Sequence, residues 1–302
     1  MDRDEFQRQM AEYTAQSLAA FPYRLVEVPG ADALAAWDLL KAEGQGIPVI
    51  LGDGEGIRNL LNNFHPSARS PGKAVPDVLD AAARLEMPRD LLNRRNREED
   101  ASVEMTAKLI AGPDSALPKI VVGPGGGVLM MGFGDVPPGN KSGGRLLTPD
   151  ETRAYLARQE YSGPDIGEWP TEVQASTGLT VATNLRTGKP FDMVRIVVLP
   201  TDDWTTAPAH LRWGDWNDCP APEYHVAALR SWRDRYDVEL VGLNSDTMNL
   251  RAARRPETRE EALALAREQY AYCTDIVEQG TQTLSALAAA LMCDDWWFFW
   301  WD

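Results

Sequence analysis

The sequence predicts an α/β protein, a mixed sheet with packed helices and a buried C-terminal aromatic strand. Three observations carry that expectation. Residues 24–51 spell a strand, a helix and a second strand in close succession. Met193 to Leu199 is a strongly apolar run of strand length. In the last third, helices announced by capping residues alternate with short β-branched or aromatic segments.

The elements follow in order. Residues 4–20 place Phe6, Met10, Tyr13 and Leu18 near helical spacing, and Pro22 ends that helix. Arg24 to Val28 reads as a strand closed by Pro29-Gly30. Asp32 is placed to cap a helix that runs through Leu40 with Leu34, Trp37 and Leu40 on one stripe, and Gly44 and Gly46 stop it. Ile47 to Leu51 is a short buried strand. Residues 52–75 are rich in Gly, Pro, Asn and Ser and read as a loop, with room for a short helix at 56–63. Pro76 to Leu92 is helical in pattern but interrupted by Pro88, and Asn93 to Asp100 is a charge run of the kind found on solvated helix faces.

Ile120-Val121-Val122 and Val128 to Met131 flank Gly123 to Gly127, which predicts a hairpin. Thr148 and Glu151 form a capping box for a helix to about Gln159, and 162–190 reads as irregular with short strands. A long loop at 200–222 holds Trp204, Trp213 and Trp216. Pro222 then opens a helix to about Asp237, with Val226, Leu229, Trp232 or Arg233, and Tyr236 on its stripe. Val238 to Val241 and Thr247 to Leu250 read as strands. Thr258 and Glu261 open what reads as the longest helix, to Gln279 with Gly280 in the C′ place. Leu284, Leu287, Ala288 and Leu291 mark one more helix. Six consecutive aromatics from Trp296 to Trp301 predict a strand buried on both faces.

Composition bounds the function. The chain has 302 residues, 44% hydrophobic and 25% charged, enough for a substantial core. It carries 45 acidic against 30 basic residues, a net charge of −15. Such a surface repels phosphate backbones, which argues against nucleic acid and suits a protein partner, a basic one above all, or a cationic ligand. No apolar run approaches the ~20 residues of a membrane helix, so no membrane association is expected. The polar opening Met1-Asp2-Arg3-Asp4-Glu5 and the three unpaired-looking cysteines, Cys219, Cys273 and Cys293, point to the cytoplasm.

Motifs add chemistry only in the last third. The glycine loop at 123–127 joins two strands and lacks the lysine of a phosphate loop, and Lys141-Ser142 come too late, so it reads as a structural turn. No cofactor is implied. Trp213 to Pro220 and then Glu223-Tyr224-His225 mix a thiol, carboxylates, an imidazole and amides. Cys219 lies just before a helix N-terminus, where the dipole lowers a thiol pKa, and His225 sits in that helix's first turn. Cys219, His225 and Asp275 are therefore the catalytic candidates. Trp213, Trp216, Asn217, Asp218, Glu223, Tyr270, Tyr272 and Gln279 are candidates for binding a ligand. Gln269, Tyr272 and Ile276 share one face of the helix opened by Thr258; Tyr270, Cys273 and Val277 share the next. No CxxC pair exists, so no metal is expected; Cys219, His225 and Cys273 are the weak candidates, with Glu223 and Asp275 as further donors. Each residue also has a structural reading: a small buried hydrophobe for cysteine, a turn or cap for Asn217 and Asp218, core for the tryptophans.

Three words stand in order: Pro208 to Pro220, then Glu268 to Cys273 with Asp275 to Gly280, then Trp297-Phe298-Phe299-Trp300-Trp301-Asp302. Over residues 193–302 the chain resembles a bacterial domain family of unknown function whose members end in a Trp-Trp-Asp tail. The resemblance implies an α/β fold and Asp302 as the natural end of the chain. It implies no catalytic assignment.

These readings give residues 1–190 as an N-terminal α/β region with a Gly/Pro-rich insertion at 53–190, and 191–302 as a C-terminal α/β domain. The segment 21–52 is expected to complete the C-terminal sheet. Three functions remain open: a cytoplasmic protein that binds a partner, in the manner of immunity proteins; a hydrolase or transferase built on Cys219 and His225; and a small-ligand sensor with a pocket between the Trp213 loop and the 258–279 helix.

Overall fold

The structure, a computed structural model, describes residues 3–66, 72–123, 128–130, 144–158, 163–173 and 178–302. The turn from Pro124 to Gly127, Met131, Lys141-Ser142 and Gln159 of the sequence reading lie outside the described residues.

The first stretch holds α1 (Arg3–Ala20), β1 (Arg24–Val28), α2 (Ala33–Glu43), β2 (Ile47–Gly52), α3 (Arg58–Asn62), α4 (Val75–Ala82) and α5 (Arg89–Ala111). Then come β3 (Ile120–Val122), β4 (Val128–Met130), β5 (Arg145–Leu146), α6 (Pro149–Arg158), β6 (Thr183–Asn184), β7 (Lys189–Pro190) and β8 (Val194–Leu199). The last third holds α7 (Ala207–His210), α8 (Pro222–Tyr236), β9 (Val238–Leu243), β10 (Thr247–Ala252), α9 (Arg259–Tyr272), α10 (Leu284–Cys293) and β11 (Trp296–Trp300).

The chain divides into two compact units, one made of residues 1–92 and 164–302, the other of residues 93–163. The smaller unit contains the hairpin of β3 and β4, to which β5 adds a third strand. Its helix α6 is opened by the expected capping box: Glu151 N donates to Thr148 Oγ1 at 3.3 Å, while Thr148 N donates back to Glu151 Oε2 at 2.9 Å.

The larger unit is built on a six-stranded mixed sheet in the order β1-β8-β2-β9-β10-β11. The segment 21–52 does complete this sheet: β1 and β2 flank β8 antiparallel, and β2 pairs β9 parallel through Ile50 and Gly242. Strands from both sides of residue 190 thus share one sheet. Alternation along the strands sends Val49, Leu51, Val197, Leu240, Met248 and Phe299 into one core, covered by α8, α9 and α10. Ile50, Ile196, Val198 and Val241 face the other way, under Trp37 and Leu40 of α2 and the 3₁₀ turn Thr180–Ala182. That turn approaches the sheet because Gly242 has no side chain; a Cβ there would collide with Val181 Cγ2.

Several local expectations change in the folded chain. On α1 the buried face runs through Met10, Tyr13 and Ser17, whereas Leu18 is exposed. Asp32 makes no capping bond, because it closes a 3₁₀ turn with ψ 0° instead of adopting the extended backbone of a cap. Pro88 does not interrupt a helix but precedes α5, whose 23 residues make it longer than α9 among the described helices. Its charge run is laced by Arg94–Glu98 and Arg95–Glu99 pairs one turn apart. The loop 200–222 contains α7 and a tight turn at Trp216 to Cys219.

Helix α9 stops at Tyr272, since Cys273 is extended at φ −148° and ψ 103°. The chain then makes a π-helical turn, Ile276–Thr281, so Ile276 and Val277 do not continue the α9 faces and Gly280 is not its C′ residue. Strand β11 alternates after all. Trp297 and Phe299 are buried, and Trp301 beyond the strand end is too, while Trp296, Phe298 and Trp300 are half-buried on the opposite face. The reason is position: β11 is an edge strand, and only one of its faces lies over the main core.

Candidate functional site

The chemistry-bearing words of the last third converge first on a sealed knot. Gly214 at φ 110° and Asn217 at φ 46° bend the loop after α7 so that Cys219 pairs back to Trp216 just ahead of α8. Gly214 lies against the His225 ring, where a Cβ would come within 2.8 Å of Nε2. His225, one turn into α8, faces Cys219 Sγ with Nε2 at 3.5 Å and the Tyr272 hydroxyl with Nδ1 at 2.5 Å. The Tyr272 hydroxyl donates to Met248 Sδ at 3.7 Å. A neutral imidazole protonated on Nδ1 satisfies the whole chain: Cys219 donates to Nε2, Nδ1–H donates to the Tyr272 oxygen, and the Tyr272 proton goes to Met248.

Water does not reach this knot. Cys219 is 3% exposed, Tyr272 1% and His225 0%. Trp213 packs on the His225 ring with centroids 4.6 Å apart, and Trp301 stands edge-on to both His225 and Tyr272. A thiol that hydrogen-bonds within such a cage has no route to a substrate.

The remaining sequence candidates scatter. Cys273 Sγ donates to Trp300 O at 2.9 Å, and burial pushes that thiol well above its usual range, against a thiolate role. Asp275 accepts from Gln279 Nε2 at 3.0 Å and from Asp302 N at 3.1 Å, a tie that pins the chain after β11. Glu223 is paired with Lys73 Nζ at 2.5 Å. Tyr270 is buried and donates to Glu278 Oε1 at 2.8 Å, Gln279 is exposed, and Asp218 is exposed in the turn before Cys219. Among the described residues no group of three or more His, Cys, Asp or Glu side chains is placed to hold a metal ion. Glu268, not among the sequence candidates, is buried and accepts from Trp232 Nε1 at 2.9 Å and Arg235 Nη2 at 2.6 Å, tying α9 to α8.

The open site is elsewhere, at one end of the large sheet. Strands β2 and β9 are the one parallel pair among the described residues, and both end there. A crevice beyond the carboxyl ends of parallel strands is where α/β sheets bind ligands. Two clefts adjoin at this place and share Asn59, Ser245 and Asp246 in their walls. One, of about 470 Å³, is flanked by Asp53 and Glu55 from the loop after β2, by Arg58, and by Thr180, Thr183 and Phe191 across from them. The other, of about 480 Å³, is walled by Trp213, Trp216 and Trp301, with Asn63, Asn217 and Asp302 at its rim.

Hydrogen bonds fix both rims. Asn244 Oδ1 accepts from the backbone of Asp246 and Thr247 and shapes the β9–β10 turn. The Ser245 hydroxyl and N–H both donate to Gly56 O, joining that turn to the loop after β2. Trp213 Nε1 donates to Asn244 O at 2.7 Å, which binds the tryptophan wall to the same turn. Trp213 therefore belongs to both places: it roofs the His225 knot and walls the cleft. Of the sequence candidates, Trp213, Trp216 and Asn217 line this cleft; Asp53, Glu55, Arg58, Asn59, Ser245 and Asp246 were missed. A signal existed in Gly52-Asp53-Gly54-Glu55-Gly56 directly after a buried strand, but it becomes meaningful only once β2 is paired with β9.

Residues 195–302 match the model of a domain family described as a domain of unknown function, DUF4253. This is the stretch over which the sequence resembles such a family, and it spans β8 to the end of the chain, including the knot and the tryptophan wall. The loop after β2 lies outside the matched residues. Neither the curated proteins nor the solved structures contain a match to this chain.

Proposed function

We propose that this protein works by binding a small polar ligand in the adjoining clefts over the ends of β2 and β9. The observation that carries this reading is their position and build: a concave, open site at the one parallel strand pair among the described residues, with fixed polar turns on one side and a tryptophan wall on the other. The sealed knot supports it indirectly, because it holds Trp213 in place and leaves Cys219 and His225 no contact with a substrate. An enzyme acting through Cys219, His225 or Asp275 is correspondingly disfavoured. The free thiols and acidic surface suit a cytoplasmic setting for such a binding protein.

A thermal-shift screen with small polar metabolites tests the reading. A ligand at a hundredfold its Kd adds about 2.7 kcal/mol of stability, which is a clear shift in melting temperature. The hit is expected to lose its effect in Asp246→Asn. A panel without hits, or hits indifferent to Asp246→Asn, contradicts the reading.

A partner-binding role has its own supporting observation. Trp296, Phe298 and Trp300 form a half-buried aromatic row on edge strand β11, with Phe298 and Trp300 stacked at 4.8 Å, on a chain of net charge −15. Cross-linking of the purified chain to a basic protein through this row, abolished by Trp296→Ala, would favour that reading over the cleft.

A further inference from the structure

We propose that the free edge of β11 receives an extended segment of a basic protein partner as a seventh strand of the large sheet; this rests on the partner-binding reading of the aromatic row and names how the partner is held. Trp296, Phe298 and Trp300 line neither of the clefts over β2 and β9. The hydrogen-bond phase of β11 is fixed at both ends. Ala252 N donates to Asp295 O at 2.7 Å, and Trp301 N donates to Asp246 O at 3.1 Å. The antiparallel register between these bonds is unbroken, so Trp297 and Phe299 exchange bonds with β10. The N–H and C=O groups of Trp296, Phe298 and Trp300 then point away from the sheet. Two of these groups are taken locally: Trp296 N donates to Asp294 Oδ1, and Trp300 O accepts from Cys273 Sγ. Trp296 O, Phe298 N, Phe298 O and Trp300 N have no partner among the described residues.

That set is half of an antiparallel ladder, short and bounded at both ends, and an added strand completes it. A residue opposite Phe298 would exchange both bonds with it, and alternate side chains would lie against the aromatic row. Strand β11 carries no Lys, Pro or bulge of the kind that discourages pairing at an edge. Charge selects the occupant. After Arg267 the chain contains no Lys, Arg or His. The π-helical turn, α10, β11 and their flanks therefore carry only negative charge, from Asp275, Glu278, Asp294, Asp295 and Asp302. Arg251 and Arg255 lie inboard, on β10 and after it, and Arg255 pairs with Asp295. A second copy of the chain fits poorly: two-fold pairing about Phe298 sets Asp294 of each copy against Asp302 of the other, like charge against like. A strand with basic residues at its ends meets carboxylates at both ends of the edge instead.

The test is an NMR titration of the full chain at low salt. The probe is the blocked peptide Lys-Val-Thr-Val-Thr-Val-Lys, compared with its N-methylated form at the central Val and with a counterpart ending in Glu. In the free chain the Phe298 amide should exchange with solvent faster than those of Trp297 and Phe299. The basic peptide should bind and slow exchange at Phe298. Removing its central N–H donor should weaken it roughly tenfold, Trp296→Ala should weaken it severalfold, and added salt should weaken it further. The Glu-ended peptide should not bind. If the N-methylated peptide binds equally well and Trp296→Ala weakens both, side chains alone hold the partner: strand addition falls and the partner-binding reading stands. Strand addition also falls if the Phe298 amide is protected in the free monomer, or if the chain sediments as a dimer with that amide protected, which makes a second copy the occupant. If no peptide binds while Trp296-dependent cross-linking to a basic protein persists, strand addition falls alone. If both are absent, it falls together with the partner-binding reading.

Discussion

Trp213 touches two regions of opposite character. Behind it lie Cys219, His225 and Tyr272, hydrogen-bonded in series and closed to water. In front lie Asp246, Asn217 and Ser245, ordinary turn residues that face an open cleft. The first region holds the reactive side chains that invite a catalytic reading, and burial closes them to water. The second holds side chains common on any surface, and concavity makes them candidates for holding a ligand. Residue type names a chemistry; access and unspent hydrogen-bonding or charge capacity decide whether it is available.

The sharpest way to break this contrast is to compare truncations on the two sides. Tyr272→Ala should cost about 3–5 kcal/mol, as for other large buried side chains, and should move the urea midpoint far to the left. Asp246→Asn should change stability by no more than about 0.5 kcal/mol. Equal losses would mean that the two regions are not separate in energy. A smaller effect is expected for Tyr272→Phe. It keeps the ring but removes the acceptor for Nδ1–H and the donor to Met248, costing about 1–3 kcal/mol. A neutral outcome would show that the polar chain contributes nothing beyond packing.

The thiols give a third comparison. Cys219 and Cys273 are buried and Cys293 is exposed. In the native protein a thiol reagent should modify Cys293 quickly and the other two only after denaturant is added. Rapid native labelling of Cys219 would open the sealed knot to solvent and revive its candidacy as a nucleophile.

The smallest effect concerns pH. Burial lowers the pKa of His210, which stacks edge-on to Tyr23 and lies 3.3 Å from its hydroxyl. Because the folded pKa is below the unfolded value, the unfolded state takes up the proton first. Stability is therefore full at higher pH and declines as pH falls through about 6.5, levelling off below the folded pKa. His210→Gln should flatten this part of the stability profile relative to the wild type. Superimposable slopes would place His210 in the same environment in both states.

Much of this architecture was legible where the cause is local. The capping box at Thr148, the Thr258 side-chain cap of α9, Pro222 at the start of α8, and the Leu34, Trp37 and Leu40 stripe of α2 all depend on residues within a turn or two. Less was legible where the cause is distant. Helix α9 ends at Tyr272 because Cys273 turns aside to meet Trp300 from another strand. Six aromatics in a row look sealed on both faces until β11 is known to be an edge. The site shows the same division. Cys219 and His225 could be paired from their spacing around a helix start, but their burial by Trp213, Trp301 and Tyr272 could not. The cleft joins a loop after β2 to a turn after β9, segments that meet only through a parallel pairing of distant strands.

The most direct test of this account is one binding titration on two variants, with a hit of the metabolite screen as the probe. In Cys219→Ser the protein should be less stable yet bind like the wild type, because the altered atom sits behind Trp213. In Asp246→Asn it should be as stable as the wild type and bind about tenfold more weakly. The reverse pattern, with binding lost in Cys219→Ser and kept in Asp246→Asn, would contradict the account and put the working chemistry in the sealed knot.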